Sequence, residues 1–321
     1  MIRHLHPTDS PRILQFRASA GLGDTCTLVN ALKGGPNRFP AAKYATIALS
    51  PRAWQNCWLE SQNGKINGVL RAGPRSGKQA WEISELYLRN SKSSLILDLL
   101  EQIAVQAGGA GAYRIFIRIP IGSNASDFAQ KAGFSTIYRE TIYQTTSTHS
   151  PVTKLGISED FLTLRPRYQA DDGNLFRMHN VVTPMAIRIK TGQTSKDWAA
   201  GMERLGPKSS EWILDLPTGE IGALIQTSTT RTQHMFNVNW ATNAGGQLGA
   251  IVAAALKETD DVSAVTAVPD YKPSLAHLLA NIGFKKQATY EVMVKPLTQP
   301  TSETVSYTHL RAHETREERG L

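Results

Sequence analysis

The chain has 321 residues, 41% of them hydrophobic and 19% charged, with a formal net charge of +8. These are globular rather than disordered values, and the length suits two domains, each able to bury its own core. No apolar run approaches the roughly 20 residues that a membrane span needs, and MIRHLHPTDSPRI at the start carries no signal-peptide core, so no membrane partner is expected.

The charge is uneven. Residues 1–150 hold 17 Lys and Arg against 9 Asp and Glu, residues 151–304 hold 15 against 15, and residues 305–321 hold 3 against 3. The whole excess therefore lies in the first half, where it attracts polyanions such as nucleic acid or a polyphosphate cofactor. No basic run is interleaved with aromatics, so nucleic acid is not the expected partner. The two cysteines, Cys26 and Cys57, lack metal-ligand spacing and suit a reducing cytoplasm, which is the expected location. His4 and His6 share a strand face but have no third ligand in view, so no metal site is expected.

Taken in chain order, Ile2 to Leu5 read as an opening strand, and Pro7 to Pro11 offer helix-start chemistry. Residues 20–43 are rich in Gly, Pro and small side chains and read as a long variable segment. Strands are predicted at 54–60 and 66–72, joined by Asn63-Gly64, a hairpin signal. A strand at 80–88 is followed by a helix over 93–107, whose Ile96, Leu99, Leu100, Ile103 and Ala107 share one face. Tyr113 to Ile119 is a strand carrying Arg114 and Arg118. A polar linker is expected at 145–160.

The second half restarts with a strand at 161–166. Helices are predicted at 169–180 and 194–205, a hairpin around Pro217 to Glu220, and a strand at 234–241. A helix at 246–257, a strand at 262–268 and a helix at 271–282 follow. Both halves close alike, with an amphipathic helix, a Gly-Phe pair and a β-prone run. Gly133-Phe134 and Gly283-Phe284 mark the two endings, which points to duplicated domains. The expected units are 1–144 and 161–297, with a tail at 298–321. From Val305 the tail resembles a translated sequencing-adapter read-through and is expected to be non-native.

This order of elements, with the strand-to-helix passage and the two Gly-Phe endings, resembles the GNAT superfamily of N-acetyltransferases in tandem. The resemblance implies an α/β fold, with a mixed α+β sheet and two GNAT-like domains. It further implies acetyl-CoA as acyl donor and a small-molecule or peptide amine as acceptor. In that family one splayed strand pairs with the pantetheine arm, and the amides that open the next helix bind the pyrophosphate, as helix N-termini do for anions.

Carried over residue by residue, the resemblance places the pantetheine strand of the first half at Glu85, Leu86, Tyr87 and Leu88. Its phosphate loop falls at Arg89, Lys92, Ser93 and Ser94. The loop of the second half falls at Gly245 and Gly246. The charge of the first half favours it as the cofactor site. The acid position of the family is Ala129 in one half and Leu279 in the other, neither able to donate a proton. Tyr138, Tyr143 and Tyr271 are nearby substitutes, and Glu82 and Glu85 are candidate bases; Glu85 and Tyr138 are the expected catalytic pair. The alternative is a catalytically degenerate protein that binds acyl-CoA or another small molecule without turnover.

Overall fold

Six strands form in each half of the computed structural model, which describes residues 1–50, 54–89, 94–156, 162–192, 194–257 and 261–297. In the first half they are β1 (Ile2–His4), β2 (Cys57–Gln62), β3 (Lys65–Pro74), β4 (Ala80–Leu88), β5 (Arg114–Pro120) and β6 (Ser135–Thr145). In the second they are β7 (Leu164–Pro166), β8 (Ser210–Asp215), β9 (Ile221–Thr229), β10 (Gln233–Trp240), β11 (Ser263–Pro269) and β12 (Lys285–Pro296). All twelve join one mixed sheet, ordered β1-β2-β3-β4-β5-β12-β6-β11-β10-β9-β8-β7. At the β2–β3 hairpin, Asn63 (φ 51°) and Gly64 (φ 74°) supply the two left-handed residues of a tight turn.

Helices cover both faces. In the first half α1 (Ser10–Arg17) and α3 (Ala41–Ala48) pack on one face around Phe16, Tyr44 and Tyr87. On the other, α4 (Ser94–Gly109) and α5 (Ala125–Lys131) bury Ile96, Leu99, Leu100 and Ile103, the stripe that the 3.6-residue period marks out. The expected variable segment at 20–43 also holds α2 (Leu28–Leu32), which opens on the Thr27 side chain accepting the Asn30 N–H. In the second half α7 (Asp172–Val182), α8 (Met185–Thr191) and α9 (Ser195–Gly201) cover one face. The other carries α10 (Leu248–Leu256) and α11 (Pro273–Asn281). Within the expected linker, residues 149–155 form α6 (His149–Leu155), closed by Gly156 in the left-handed region (φ 59°).

The halves are joined by an exchange of strands. β12, the last strand of the second half, pairs with β5 of the first, from Tyr290 opposite Pro120 to Pro296 opposite Arg114. β6, the last strand of the first half, pairs with β11 of the second, from Ala264 opposite Thr145 to Pro269 opposite Glu140. The two exchanged strands then pair antiparallel with each other. Ile142, Tyr143, Tyr290, Val292, Met293 and Val294 on these strands are buried. Removing either strand leaves a neighbour with an unpaired edge and uncovers apolar surface.

Fragments 1–160 and 161–297 made separately should therefore be aggregated or poorly folded. Made together they should co-purify as a stoichiometric pair, measured by size-exclusion chromatography of the co-expressed fragments. Independent folding of both would refute the exchange.

Candidate functional site

Each half contains one pair of parallel strands that part company. β4 and β5 pair only from Ala80 opposite Arg114 to Ile83 opposite Ile117. β10 and β11 pair only from Gln233 opposite Ser263 to Met235 opposite Val265. Beyond those points backbone donors and acceptors face a gap and need partners.

In the first half the chain fills its own gap. Ala20 bridges Arg89, the Asp24 N–H donates to the Leu86 carbonyl at 2.9 Å, and the Cys26 N–H donates to the Arg118 carbonyl at 3.1 Å. Residues 20–26 thus run beside β4 and cross to β5. Leu86, Tyr87 and Leu88, expected to face a pantetheine arm, are buried, and the Leu86 carbonyl is taken by the chain itself. Arg89 spends its Nε on the Ile66 carbonyl at 2.8 Å and lies over the Phe16 ring. Lys92 and Ser93 fall outside the described residues, and Ser94 opens α4. Glu85 is buried in a separate cluster, where it accepts from the Tyr44 hydroxyl at 2.8 Å and from Lys43, with Arg71 at 3.4 Å.

The gap of the second half is arranged differently. The Val238 carbonyl accepts from a side chain, the Lys272 Nζ at 3.2 Å, which also donates to Asn239 Oδ1. Thr266 is the first β11 residue past the last β10 pair, and its Oγ1 is buried with no hydrogen-bond partner among the described residues. Between β10 and α10 a 3-10 turn spans Thr242–Gln247. Gly245 and Gly246 in it are exposed, and a Cβ on either would meet nothing within 4 Å. Two of these features fit an acyl-CoA: a strand carbonyl held by a movable side chain, and an open turn before a helix.

A cavity of about 190 Å³ adjoins this second gap and reaches into the first half. β10 supplies Asn237 and Asn239, β6 supplies Tyr138 and Glu140, and α7 supplies Met178 and His179. Tyr138 thus lies at the cavity, its ring edge-on to Tyr271 at 5.6 Å, whereas Glu85 does not line it.

One wall is a buried ionic network. Arg118 is fully buried, bonds Glu140 through Nε, and grips Glu203 with two hydrogen bonds of 3.0 and 2.9 Å. Glu82 lies 3.5 Å from Arg118 and 3.1 Å from Arg75. Three carboxylates face two guanidiniums, so the network carries one surplus negative charge if all are ionised. Burial disfavours the Glu203 charge, but Arg118 and Arg75 outweigh it and hold that carboxyl at about 2. Burial dominates at Glu82 and Glu140 and raises both above the usual carboxylate range.

Lys272 marks another part of the wall. It is buried, forms no ion pair among the described residues, and burial alone lowers its ammonium to about 8. His179, lowered to about 4 by burial and then by Lys272 and Arg188, stays neutral at pH 7 and shares Nδ1 with Thr183 Oγ1 at 3.0 Å. Burial raises the hydroxyls of Tyr138 and Tyr271, so both keep their protons at neutral pH.

Of these residues, sequence reasoning singled out Tyr138, Tyr271, Glu82, Gly245 and Gly246. It missed Glu140, Glu203, His179 and Lys272. One signal was available: Arg118 interrupts the otherwise apolar run of β5, and a buried guanidinium requires carboxylate partners.

Compared by sequence, the chain matches no family model and no curated protein. Its structure is similar to a tandem GNAT protein from the clavulanic acid biosynthesis pathway (TM-score 0.53, 13% identity), covering 94% of this chain and 99% of that one. It is also similar to a GCN5-related N-acetyltransferase from Sphaerobacter thermophilus (TM-score 0.52, 12% identity), covering 94% and 97%. A functionally unknown conserved protein from Staphylococcus epidermidis matches with TM-score 0.50 and 7% identity, over 68% of this chain and 85% of that one. The fold is that of a tandem GNAT protein. No helix among the described residues is long and apolar enough to cross a membrane.

Two outcomes follow from these charges. Replacing Arg118 with Met leaves buried carboxylates unpaired and should cost about 3–5 kcal/mol in denaturant unfolding. For Lys272, the folded value of about 8 lies below the ordinary 10.5, so between them the unfolded chain binds more protons. Stability should therefore rise as pH goes from 8 to 9.5 in the wild type relative to Lys272→Met, by up to about 2 kcal/mol. Parallel pH profiles of the two proteins would contradict the assignment.

Proposed function

We propose that the protein is an acyl-CoA-dependent N-acyltransferase that binds its donor in the gap of the second half and its amine acceptor in the adjoining cavity. The observation that carries this reading is the contrast between the gaps. Residues 20–26 close the first, whereas in the second the Val238 carbonyl is met by the Lys272 side chain and the Gly245-Gly246 turn stands open. The halves then have unequal roles, the first lending Glu140 and Tyr138 to a site on the second.

The donor supplies an activated acyl thioester. Amides opening α10 and the 3-10 turn before it would hold its phosphates, and Lys272 would leave the Val238 carbonyl to admit the pantetheine arm. Glu140, raised by burial, suits the removal of a proton from an acceptor ammonium. The acceptor nitrogen then forms a bond to the acyl carbon as the carbon–sulfur bond breaks, and its second proton leaves to restore the Tyr271 hydroxyl. Tyr271, with Tyr138 packed against it, retains a proton to give the departing sulfur. Amide donors along β10 would polarise the acyl carbonyl.

Isothermal titration of acetyl-CoA into the full chain should give one site per chain. Gly246→Val places bulk where the turn is open, so it should fold normally and bind at least tenfold more weakly. Arg89→Ala, in the closed half, should bind as the wild type does. Absence of binding, or loss with Arg89→Ala alone, would overturn the reading.

A further inference from the structure

The cavity carries both signs of charge, and this bears on which amine it accepts. Glu140 and Glu203 stand on its wall within a network of three carboxylates and two guanidiniums. Its wall also includes Lys272, 8% exposed and without an ion-pair partner among the described residues. The contacts of Lys272 are all neutral, the Val238 carbonyl, Asn239 Oδ1 and the faces of Trp240 and Tyr271, so the ammonium has no anion facing it among the described residues.

A polar floor runs between these groups. Gln226 Nε2 donates to the Glu203 carbonyl at 3.4 Å, and Asn237 Nδ2 donates to Gln226 Oε1 at 3.3 Å. Two residues further along β10, Asn239 Oδ1 accepts from Lys272. Asn237 and Asn239 share a strand face about 7 Å apart, so the carboxylates and the ammonium sit towards different ends of the floor. Leu175, Met178, Trp198 and Leu224 give the remaining wall an apolar character. At about 190 Å³ the cavity is smaller than ordinary ligand pockets, which span roughly 300–1,000 Å³. That size excludes a folded partner and suits a few-carbon ligand.

Resting on the proposed acyl-transfer reading, we infer that the acceptor is a small zwitterion, an amino carboxylate whose ammonium meets Glu140 and Glu203 and whose carboxylate meets Lys272. The carboxylate would draw Lys272 from the Val238 carbonyl, and the ammonium would meet the end of the cavity where three carboxylates face two guanidiniums. A simple alkylamine satisfies one end only and a simple carboxylate the other.

The test is a titration series on the full chain without acyl-CoA, so binding rather than turnover is read. The probes are glycine, β-alanine, 4-aminobutyrate and 5-aminopentanoate, with butylamine and butyrate as single-charge controls. One or more zwitterions should bind at least tenfold more tightly than both controls. Lys272→Met should abolish that preference while leaving butylamine affinity within about twofold. The Lys272→Arg variant should restore part of the preference, which a merely structural role would not do. Equal binding of butylamine and every zwitterion, no binding by any zwitterion, or a preference that survives Lys272→Met would overturn the inference. A parallel titration with acetyl-CoA separates the two readings. Donor binding without zwitterion preference sinks only the acceptor assignment, and zwitterion preference without donor binding sinks only the acyl transfer.

Discussion

Arg118 is the residue on which the arrangement turns. Its carbonyl accepts the Cys26 N–H that secures the segment closing the first gap. Its guanidinium ties Glu140 on β6 to Glu203, beyond α9 in the second half. A fully buried guanidinium persists only when carboxylates surround it closely. That requirement draws Glu82, Glu140 and Glu203 together from distant parts of the sequence. The wall of the cavity is thus built by the need to solvate one cation.

The two gaps show how a duplicated fold acquires unequal halves. Both pairs of strands diverge, because each parallel pair keeps only three or four residues in register. In the first half main-chain hydrogen bonds fill the opening, and buried Thr25 and Cys26 cover it. In the second half a lysine ammonium takes that place, a side chain that rotates without moving backbone. Filling by backbone is a commitment of the fold, while filling by a lysine is an exchangeable contact. Charge placement runs the other way, since the basic excess lies in the half whose gap is closed. The basic excess and the open gap therefore lie in different halves.

Much of the architecture was legible in the sequence, because strands and helices follow local periodicity. The hairpin at Asn63-Gly64, the strand at Ala80–Leu88 and the apolar stripe from Ile96 to Ala107 all appear in place. A repeat passed unnoticed beside the Gly-Phe endings. Arg3 with Asp9 and Arg165 with Asp171 form the same two-pronged ion pair, each carboxylate also accepting the N–H three residues before it. The site was less legible. Tyr138 could be placed near it, but Glu85 belongs to a cluster with Lys43, Tyr44 and Arg71, groups distant along the chain that local pattern does not join. Lys272 is surface-like in composition and becomes a buried group only because the turn after β11 carries it into the opening.

The exchanged strands also set an order of events during synthesis. The first half has β1 to β6 as soon as they are translated, yet β5 keeps a bare edge until residues 285–296 exist. β6 meanwhile waits for both of its neighbours, β11 and β12. Pairing strands so remote along the chain raises contact order and slows folding. The nascent first half consequently spends the whole translation of the second with adhesive edges exposed, the condition under which chaperone capture and misassociation compete with folding.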